Sequence, residues 1–327
     1  MKEILTRIPQ LRALIVGDVC LDRWCHYDPQ LGEPSRETGI PRTGVTSTEV
    51  TPGAAGTVAN NLAALGAGRV SVLGVIGEDG HGFELRRALQ QRGIEGDLLV
   101  ESAEVQTFTY TKLINSRTGE EDQPRVDYVN ATNLPAGATR LVLDRLQGVF
   151  DQFDIVIVCD QAESGCGGVV NEAVRSLIQE LAPVYPDKTV LVDSRTHIAD
   201  FRHVIAKPNH IEAGQASQDL FGRLDYGALR KHMQSPLLLV THGADGVLLV
   251  TARGEQWVRT KPVEHPVDIC GAGDSFAAGF TLGYAATRDA VRAAEFGNRV
   301  ASITIMKPGT GTASPDELRL AEPPMRK

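Results

Sequence analysis

The chain has 327 residues, of which 42% are hydrophobic and 23% are charged. This composition is typical of a globular protein with one large domain or two average ones. No apolar run approaches the roughly 20 residues of a membrane-spanning helix. The formal charge of −8 argues against nucleic-acid binding, because a phosphate backbone would be repelled. We therefore expect neither a membrane nor a nucleic-acid partner.

The cysteines and histidines do not form the patterns of a disulfide framework or a metal site. The five cysteines are odd in number and none forms a C-x-x-C pair, and the eight histidines are scattered. The N-terminus MKEILTRIPQ lacks the apolar stretch of a secretory signal. We expect a reduced, cytoplasmic protein without a protein-ligated transition metal. The cysteines are Cys20, Cys25, Cys159, Cys166 and Cys270.

Short apolar runs alternate with helical patterns along the chain, as in βαβ units. This alternation predicts an α/β fold with a doubly wound, mostly parallel sheet and helices on both faces. Strands are predicted at Ala13–Val16, Val70–Ile76, Asp154–Cys159, Thr189–Val192, Val204–Ala206, Leu237–Val240 and Val247–Val250. Helices are predicted at Thr57–Leu65, Gly82–Arg92, Thr139–Phe150, Val169–Leu181, Leu224–Met233, Ser275–Ala286 and Asp289–Ile303.

Two stretches interrupt the alternation. Residues 25–50 are rich in Pro, Gly, Thr and Ser, and residues 106–128 show two alternating strand patterns, TFTYTKLI and RVDYV, around a turn at Ser116–Asp122. We expect these insertions to form a small antiparallel flap, or lid, on the α/β body.

The strongest local signal is DICGAGDS, from Asp268 to Ser275, which runs directly into a predicted helix. Backbone amides of Gly271, Ala272 and Gly273 at a helix N-terminus would form a nest for an anion such as phosphate. A carboxylate at Asp274 would repel that anion, so its expected role is to accept a proton from an attacking hydroxyl. The structural alternative is a tight turn with Asp274 as the helix N-cap.

Other nucleotide-site motifs are absent from the sequence. There is no GK dipeptide, which excludes a Walker P-loop, and no G-x-G-x-x-G fingerprint. The protein-kinase H-R-D and D-F-G motifs and the hydrolase G-x-S-x-G elbow are also absent. The amide nest is therefore the one phosphate-binding signal in the sequence.

DICGAGDS resembles the C-terminal D-x-x-G-A-G-D signature of the ribokinase-like, or PfkB-type, carbohydrate kinases. The resemblance continues in order along nearly the whole chain. PGAAGTVANNLAALGA, which begins at Pro52, resembles the family's N-terminal glycine-rich signature, and KPNHIE resembles its N-x-x-E motif. VTHGADG, which begins at Val240, resembles its nucleotide loop.

Within this family the sequence is most similar to heptose-7-phosphate kinases, the kinase half of a bifunctional enzyme. GDVCLDRW (from Gly17), TYTKLINSR (from Thr109) and KPGTGTASPDEL (from Lys307) carry this likeness. The likeness covers the kinase half, and we expect no cytidylyltransferase-like second half. The resemblance therefore predicts a single ribokinase-like kinase domain over residues 1–327, with the lid at about 25–50 and 106–128.

The sugar end of the predicted site departs from the heptose kinases. Ala54 stands where relatives have the second glycine of a Gly-Gly pair, and Thr57 stands where the heptose kinases have Asn. The segment CDQAESGC, which ends at Cys166, lacks their Gly-Lys, and Arg195 replaces their next Lys. The identity of the sugar stays open.

The resemblance implies ATP, Mg²⁺ and a set of binding residues. Asn209 and Glu212 would face a hydrated magnesium, with Glu212 acting through water. Their i, i+3 spacing at a helix start is equally that of a capping box. Thr241, Gly243 and Gly246 would contact the nucleotide, and a plain hairpin turn is the competing interpretation.

The remaining implied residues bind the sugar and a monovalent cation. Asp22 and the loop with Gly53, Ala54 and Thr57 would bond the sugar hydroxyls, although Asp22 could instead pair with Arg23 on the surface. Asp268 and the Cys270 carbonyl occupy positions that in many relatives bind a monovalent cation such as K⁺.

These patterns lead to three functional hypotheses. The first is an ATP-dependent sugar or sugar-phosphate kinase with Asp274 as base, for which the nearest resemblance implies heptose 7-phosphate as substrate. The second is a kinase of another sugar, such as a fructose derivative, or of a nucleoside. The third is a ligand-binding protein that kept the fold without turnover, although such a protein would need no base at Asp274. The oligomeric state also stays open, and a homodimer is one of the possibilities.

Overall fold

The computed structural model describes residues 1–162 and 167–320. Residues 163–166, the second half of the segment CDQAESGC including Cys166, lie outside the described residues. The strands are β1 Arg12–Gly17, β2 Val19–Tyr27, β3 Val45–Ala54, β4 Arg69–Leu73, β5 Val75–Gly77, β6 Val100–Ser102, β7 Thr109–Asn115, β8 Val126–Tyr128, β9 Ile155–Asp160, β10 Thr189–Ser194, β11 Ile205–Ala206, β12 Leu238–Thr241, β13 Val247–Thr251 and β14 Gly254–Val258.

Eight of these strands form the central sheet, in the order β14-β13-β12-β11-β10-β9-β1-β4. The pairings from β4 to β12 are parallel, and β13 and β14 add antiparallel strands at one edge. The strand sequences are nearly continuous Val, Ile and Leu because helices cover both faces. The predicted doubly wound, mostly parallel sheet is confirmed.

Helices pack on both faces of this sheet and divide the apolar core into two clusters. One cluster joins α1, α2, α8 and α9 to one face, and the other joins α4 to α7 to the opposite face. The helices are α1 Lys2–Arg7, α2 Ala55–Ala64, α3 Gly80–Gln90, α4 Ala136–Val149, α5 Glu172–Val184, α6 His210–Phe221, α7 Tyr226–His232, α8 Ala272–Thr287, α9 Ala290–Thr304 and α10 Pro315–Leu320.

The two predicted insertions meet in a second, four-stranded sheet with the order β3-β2-β7-β8. The β2–β3 and β7–β8 pairings are antiparallel, and β2 and β7 run parallel. Each insertion forms its own hairpin, and the two hairpins join through their first strands, β2 and β7, which run in the same direction. We call this four-stranded sheet the lid sheet.

Two further observations concern membranes and thiols. Within the described ranges, no helix is both long and apolar enough to span a bilayer. Cys20, Cys25, Cys159 and Cys270 are free thiols; the first three are buried and Cys270 is exposed.

Candidate active site

The glycine-rich DICGAGDS segment forms the start of α8. Gly271 adopts a left-handed conformation (φ 75°) and is the N-cap, so the helix begins at Ala272. A side chain at Gly271 would be strained at this φ and would approach Thr57 and Thr310 to 3.3 Å. The first amides of α8 have no side-chain cap in the described structure, although the Ala272 amide donates to the Ile269 carbonyl over 3.2 Å. The N-cap alternative for Asp274 is therefore wrong, because Asp274 lies inside the first turn.

The carboxyl group of Asp274 lies in a strongly perturbed environment. Burial and, to a smaller extent, the negative charge of Asp193 raise its pKa to about 7, although the positive charge of Lys207 opposes the increase. Gln161 Nε2 donates to Asp274 Oδ1 over 3.4 Å. A carboxyl group with a pKa near 7 can take up and release a proton at neutral pH, as a general base must.

A buried ion pair lies beside Asp274. Lys207 Nζ is 2.8 Å from Asp193 Oδ2, and the two residues are only 4% and 8% exposed. Although burial disfavours the charged ammonium, Asp193 and then Asp274 raise the pKa of Lys207, which keeps it positive. A Cβ built on Gly273 would lie 3.6 Å from Lys207 Nζ, so the cation borders the amide nest. Sequence reasoning missed this pair.

Asn209 and Glu212 form a complete capping box at the start of α6. The Asn209 side chain accepts from the amides of Ile211 and Glu212, and Glu212 Oε2 accepts from the Asn209 amide over 2.8 Å. Burial raises the pKa of Glu212, and the charge of Asp193 adds to this increase. The capping interpretation is confirmed. It leaves Glu212 Oε1 without a hydrogen bond to any described residue.

The hairpin between β12 and β13 carries Thr241, Gly243 and Gly246 to one wall of a cavity of about 410 Å³. Ala272 and Gly273 of α8 line the same cavity, so the predicted nucleotide loop and the amide nest share it. Gly246 has a φ of 99°, and a Cβ there would collide with the Val258 carbonyl. The hairpin interpretation is therefore confirmed, and the contact of these residues with a nucleotide stays a prediction.

A second cavity, of about 290 Å³, lies on the other side of Asp274. Asp22, Ala54 and Thr57 line it together with Gly271 and Asp274, as the sugar assignment requires. Burial raises the pKa of Asp22 to about 6, and its Oδ1 accepts from the Cys20 thiol. The surface pairing considered for Asp22 is wrong, because Arg23 contacts His81 and Glu84 instead.

The predicted sugar loop is the direct junction of β3 and α2, and it is constrained at every predicted position. A Cβ on Gly53 would lie 2.4 Å from Asp22 Oδ2, so only glycine leaves room for that carboxylate. Ala54 has φ 51° and ψ −119°, a conformation that glycine adopts at much lower cost. Thr57 is buried, and its methyl carbon would lie 3.3 Å from a Cβ on Gly271. The sugar loop therefore touches the amide nest directly.

The 290 Å³ cavity also holds a cationic set that sequence reasoning did not identify. Arg23 and Lys112 lie on the lid sheet, Arg125 immediately precedes its strand β8, and Arg195 follows β10. Within the lid, Lys112 pairs with Glu121 at 3.4 Å and Arg125 pairs with Asp127 at 2.7 Å. The alternating strand pattern around TYTK was the available signal, because it places Tyr110 and Lys112 on one face.

Asp18 is a further buried residue near the site that the sequence did not indicate. It is buried, and its carboxylate accepts hydrogen bonds from the amides of Gln161, Ala162 and Val169. Burial raises the pKa of Asp18 to about 6, although these amides oppose the increase. Asp18 thereby positions Gln161, the residue that donates to Asp274.

Asp268 stabilises the loop that precedes α8. Its Oδ1 accepts from the Cys270 amide over 2.8 Å and its Oδ2 accepts from the Gly309 amide over 3.1 Å. No group of three or more His, Cys, Asp or Glu residues in the described ranges could hold a metal ion. A monovalent cation at Asp268 and the Cys270 carbonyl stays a prediction.

The site combines a helix N-terminus that offers amides to an anion, a proton-accepting carboxyl group beside it and a cavity on either side. These are the parts required for phosphoryl transfer to a hydroxyl. The fold and site define a small-molecule kinase. The family model described as pfkB family carbohydrate kinase matches residues 15–317. The chain belongs to this family and is a sugar-kinase phosphotransferase.

The relatives agree with this assignment. The chain is 29% identical over 325 residues to the bifunctional protein HldE of Citrifermentans bemidjiense, a match that covers 97% of this chain and 64% of that protein. The chain thus spans about two thirds of the length of this curated relative. Escherichia coli phosphofructokinase-2 in complex with substrates and products shares the fold, with a TM-score of 0.70, 19% identity and coverage of 95% and 98% of the two chains. Thermotoga maritima ribokinase also shares the fold, with a TM-score of 0.68, 19% identity and coverage of 95% of this chain and 98% of that chain.

Proposed function

We propose that the protein uses ATP to phosphorylate a hydroxyl group of a sugar phosphate, and that heptose 7-phosphate is the first candidate substrate. The observation that carries this proposal is the cationic set in the 290 Å³ cavity. Arg23, Lys112 and Arg125 line the cavity that also contains Asp274. A neutral sugar needs no such cations, whereas a phosphate ester pairs with them through charge-assisted hydrogen bonds.

In the proposed reaction, Asp274 accepts the proton of the attacking sugar hydroxyl. The sugar oxygen forms a bond to the γ-phosphorus as the bond from that phosphorus to the bridging oxygen of ADP breaks. The amides of Gly271, Ala272 and Gly273 stabilise the charge on the transferring phosphoryl oxygens. The ammonium of Lys207 adds a positive charge beside Gly273. The products are ADP and the doubly phosphorylated sugar.

We assign ATP to the cavity of about 410 Å³, with its phosphates directed toward α8. Thr241 adjoins Asn209 through a parallel bridge, which places the start of α6 next to the nucleotide loop. Glu212 Oε1 has no hydrogen bond to a described residue and is a carboxylate oxygen, the ligand type that hydrated magnesium prefers. The residues therefore fit Mg²⁺, which would neutralise phosphate charge, with Glu212 holding it through water.

We assign the sugar hydroxyls to Asp22 and to the loop with Gly53, Ala54 and Thr57. The phosphate of the substrate would then reach the lid sheet, since Lys112 and Arg125 lie on β7 and immediately before β8. In this arrangement one kinase domain carries the lid as an insertion. We also propose a cytoplasmic location, which the four free thiols support. The homodimer and a K⁺ requirement stay predictions.

The test is an ADP-release assay over heptose 7-phosphate, fructose 6-phosphate, free heptose, free fructose and a nucleoside. We expect kcat/KM to be highest for a phosphorylated sugar. Lys112→Gln should raise KM for that substrate about tenfold, because it removes one charge-assisted contact, and should leave KM for free sugars within twofold.

Arg117→Gln is the matched control, since Arg117 belongs to the same lid but pairs with Asp28 and does not line the cavity. It should leave both KM values within twofold. A parent enzyme that prefers a free sugar or a nucleoside would refute the sugar-phosphate assignment. ADP release below detection for every acceptor would favour the binding-protein hypothesis.

A further inference from the structure

A third cavity, of about 420 Å³, lies at the end of the central sheet opposite to Asp274. It is formed where β10, β11 and β12 begin and where α5, α7 and α8 end. Its volume is close to the 410 Å³ of the nucleotide-side cavity, and such volumes are typical of small-molecule sites. It shares no lining residue with either active-site cavity.

The lining of this cavity is positively charged in a chain whose net charge is −8. Lys188, Arg230 and Arg288 contribute cationic side chains, and His203 adds an imidazole. Among the described residues that line it, none is acidic. A concave surface with charge of one sign concentrates counter-ions, which here are anions.

Neutral acceptors hold these three cations in position. Arg230 donates to the Ser235 carbonyl over 2.7 Å, and Lys188 donates to the carbonyls of Asp151 and Phe153. Arg288 donates to the Asp187 carbonyl. None of the three makes an ion pair within 4.0 Å in the described part of the chain. Hydrogen bonds therefore hold these three side chains in position, and no carboxylate of the described residues contacts them to neutralise their charges.

Beside the charges, the cavity has an apolar wall made by Tyr284 and three prolines, Pro183, Pro186 and Pro236. Flat, rigid side chains of this kind give a ring or a short carbon chain a surface at little entropic cost. A site with cations and an apolar wall suits a ligand that has both an anionic group and a carbon skeleton.

Three residues that line this cavity have a positive φ. His203, Gln234 and Arg288 have φ values of 64°, 48° and 55°, and they are three of the five non-glycine residues with positive φ in the described ranges. Arg288 is the left-handed C-cap of α8, and Gln234 follows the C-cap of α7. Left-handed residues commonly end helices, so these two conformations belong to the helix ends that form the cavity wall.

We propose that this cavity binds a small phosphorylated compound. The phosphate contacts Arg230, Lys188 and Arg288, and the carbon skeleton lies against Tyr284 and the prolines. A nucleotide and a sugar phosphate share this chemistry, and the experiment below distinguishes them. The proposal is independent of the sugar that the active site phosphorylates.

Isothermal titration with ADP, fructose 1,6-bisphosphate and inorganic pyrophosphate, each as a separate probe, tests the proposal on the full chain. We expect a binding event for at least one probe that is weakened about tenfold or more by Arg230→Gln. If the ligand is a nucleotide, ADP should show a second binding event in addition to its binding at the active site. If the ligand is a sugar phosphate, the binding event that Arg230→Gln weakens should be that of fructose 1,6-bisphosphate.

Lys231→Gln is the matched control, because Lys231 is the next residue of α7, is exposed and does not line the cavity. It should leave every affinity within twofold. If Arg230→Gln fails to fold, Arg288→Gln tests the same set of three cations. Arg288 is exposed, and its substitution does not remove the hydrogen bond from Arg230 to the Ser235 carbonyl. Affinities that are all insensitive to both Arg230→Gln and Arg288→Gln would overturn the proposal.

Discussion

Replacing Lys207 with Met removes the only ammonium that adjoins both Asp193 and Gly273 among the described residues. The exposures of 4% and 8% put the Lys207–Asp193 pair in the buried class, so the roughly 0–1 kcal/mol of a surface pair does not apply. Removing one partner of a buried pair leaves an uncompensated charge and costs about 3–5 kcal/mol. We expect Lys207→Met to lower the free energy of unfolding by that amount.

The same substitution should change the kinetics in two ways. Lys207 lowers the pKa of Asp274 and Asp193 raises it, so Asp193 without its partner should raise that pKa above about 7. The acidic limb of the kcat/KM profile, where Asp274 is protonated, should therefore move to higher pH. Loss of the cation beside the amide nest should also lower kcat by about 10²–10³ at the pH optimum.

The assay is a pH–rate profile of parent and variant, with chemical denaturation of both at one pH. The control is Lys207→Met combined with Asp193→Asn, which removes both charges. The double variant should recover most of the stability and move the acidic limb below that of the parent, while kcat stays low. A Lys207→Met enzyme with parental kcat and an unshifted acidic limb would show that Lys207 has no role near the transferring phosphoryl group.

Three further predictions concern the site. Asp274→Asn should lower kcat by about 10²–10⁴. Folding raises the pKa of Asp274 from 3.8 to about 7, so the free energy of unfolding of the parent falls as the pH rises through this range. The neutral Asn should therefore raise the free energy of unfolding by about 2–4 kcal/mol at pH 8 and change it little at pH 4. Parental activity would refute the base assignment. Glu212→Gln should raise the Mg²⁺ requirement at nearly unchanged sugar KM, and an unaltered titration would leave only the capping role. Ala54→Gly should stabilise the protein by about 1 kcal/mol, because glycine adopts the positive φ at lower cost. The double variant Ala54→Gly with Thr57→Asn should raise kcat/KM for heptose 7-phosphate relative to other sugars. Unchanged ratios of kcat/KM across the sugar panel would contradict the specificity role assigned to these two residues.

Local patterns in the sequence were sufficient for the fold and for the phosphotransfer end of the site. The apolar runs predict β1, β9, β10, β12 and β13 to within about two residues, because strands covered by helices on both faces need continuous Val, Ile and Leu. GAGD was recognisable because the amide nest and the carboxylate are four consecutive residues. The capping box of Asn209 and Glu212 was equally local, so both of its interpretations could be stated from spacing alone.

Only the tertiary structure showed which charges meet. Lys207 follows β11 and Asp193 lies near the end of β10. Because β10 and β11 are adjacent and parallel, the two residues meet at the carboxyl ends of these strands. Asp18 controls Gln161 across 143 residues of sequence. The cations of the lid converge on Asp274 because two insertions pair side by side. Burial and long-range electrostatics depend on the position of each group in space, and residue spacing along the chain does not encode that position.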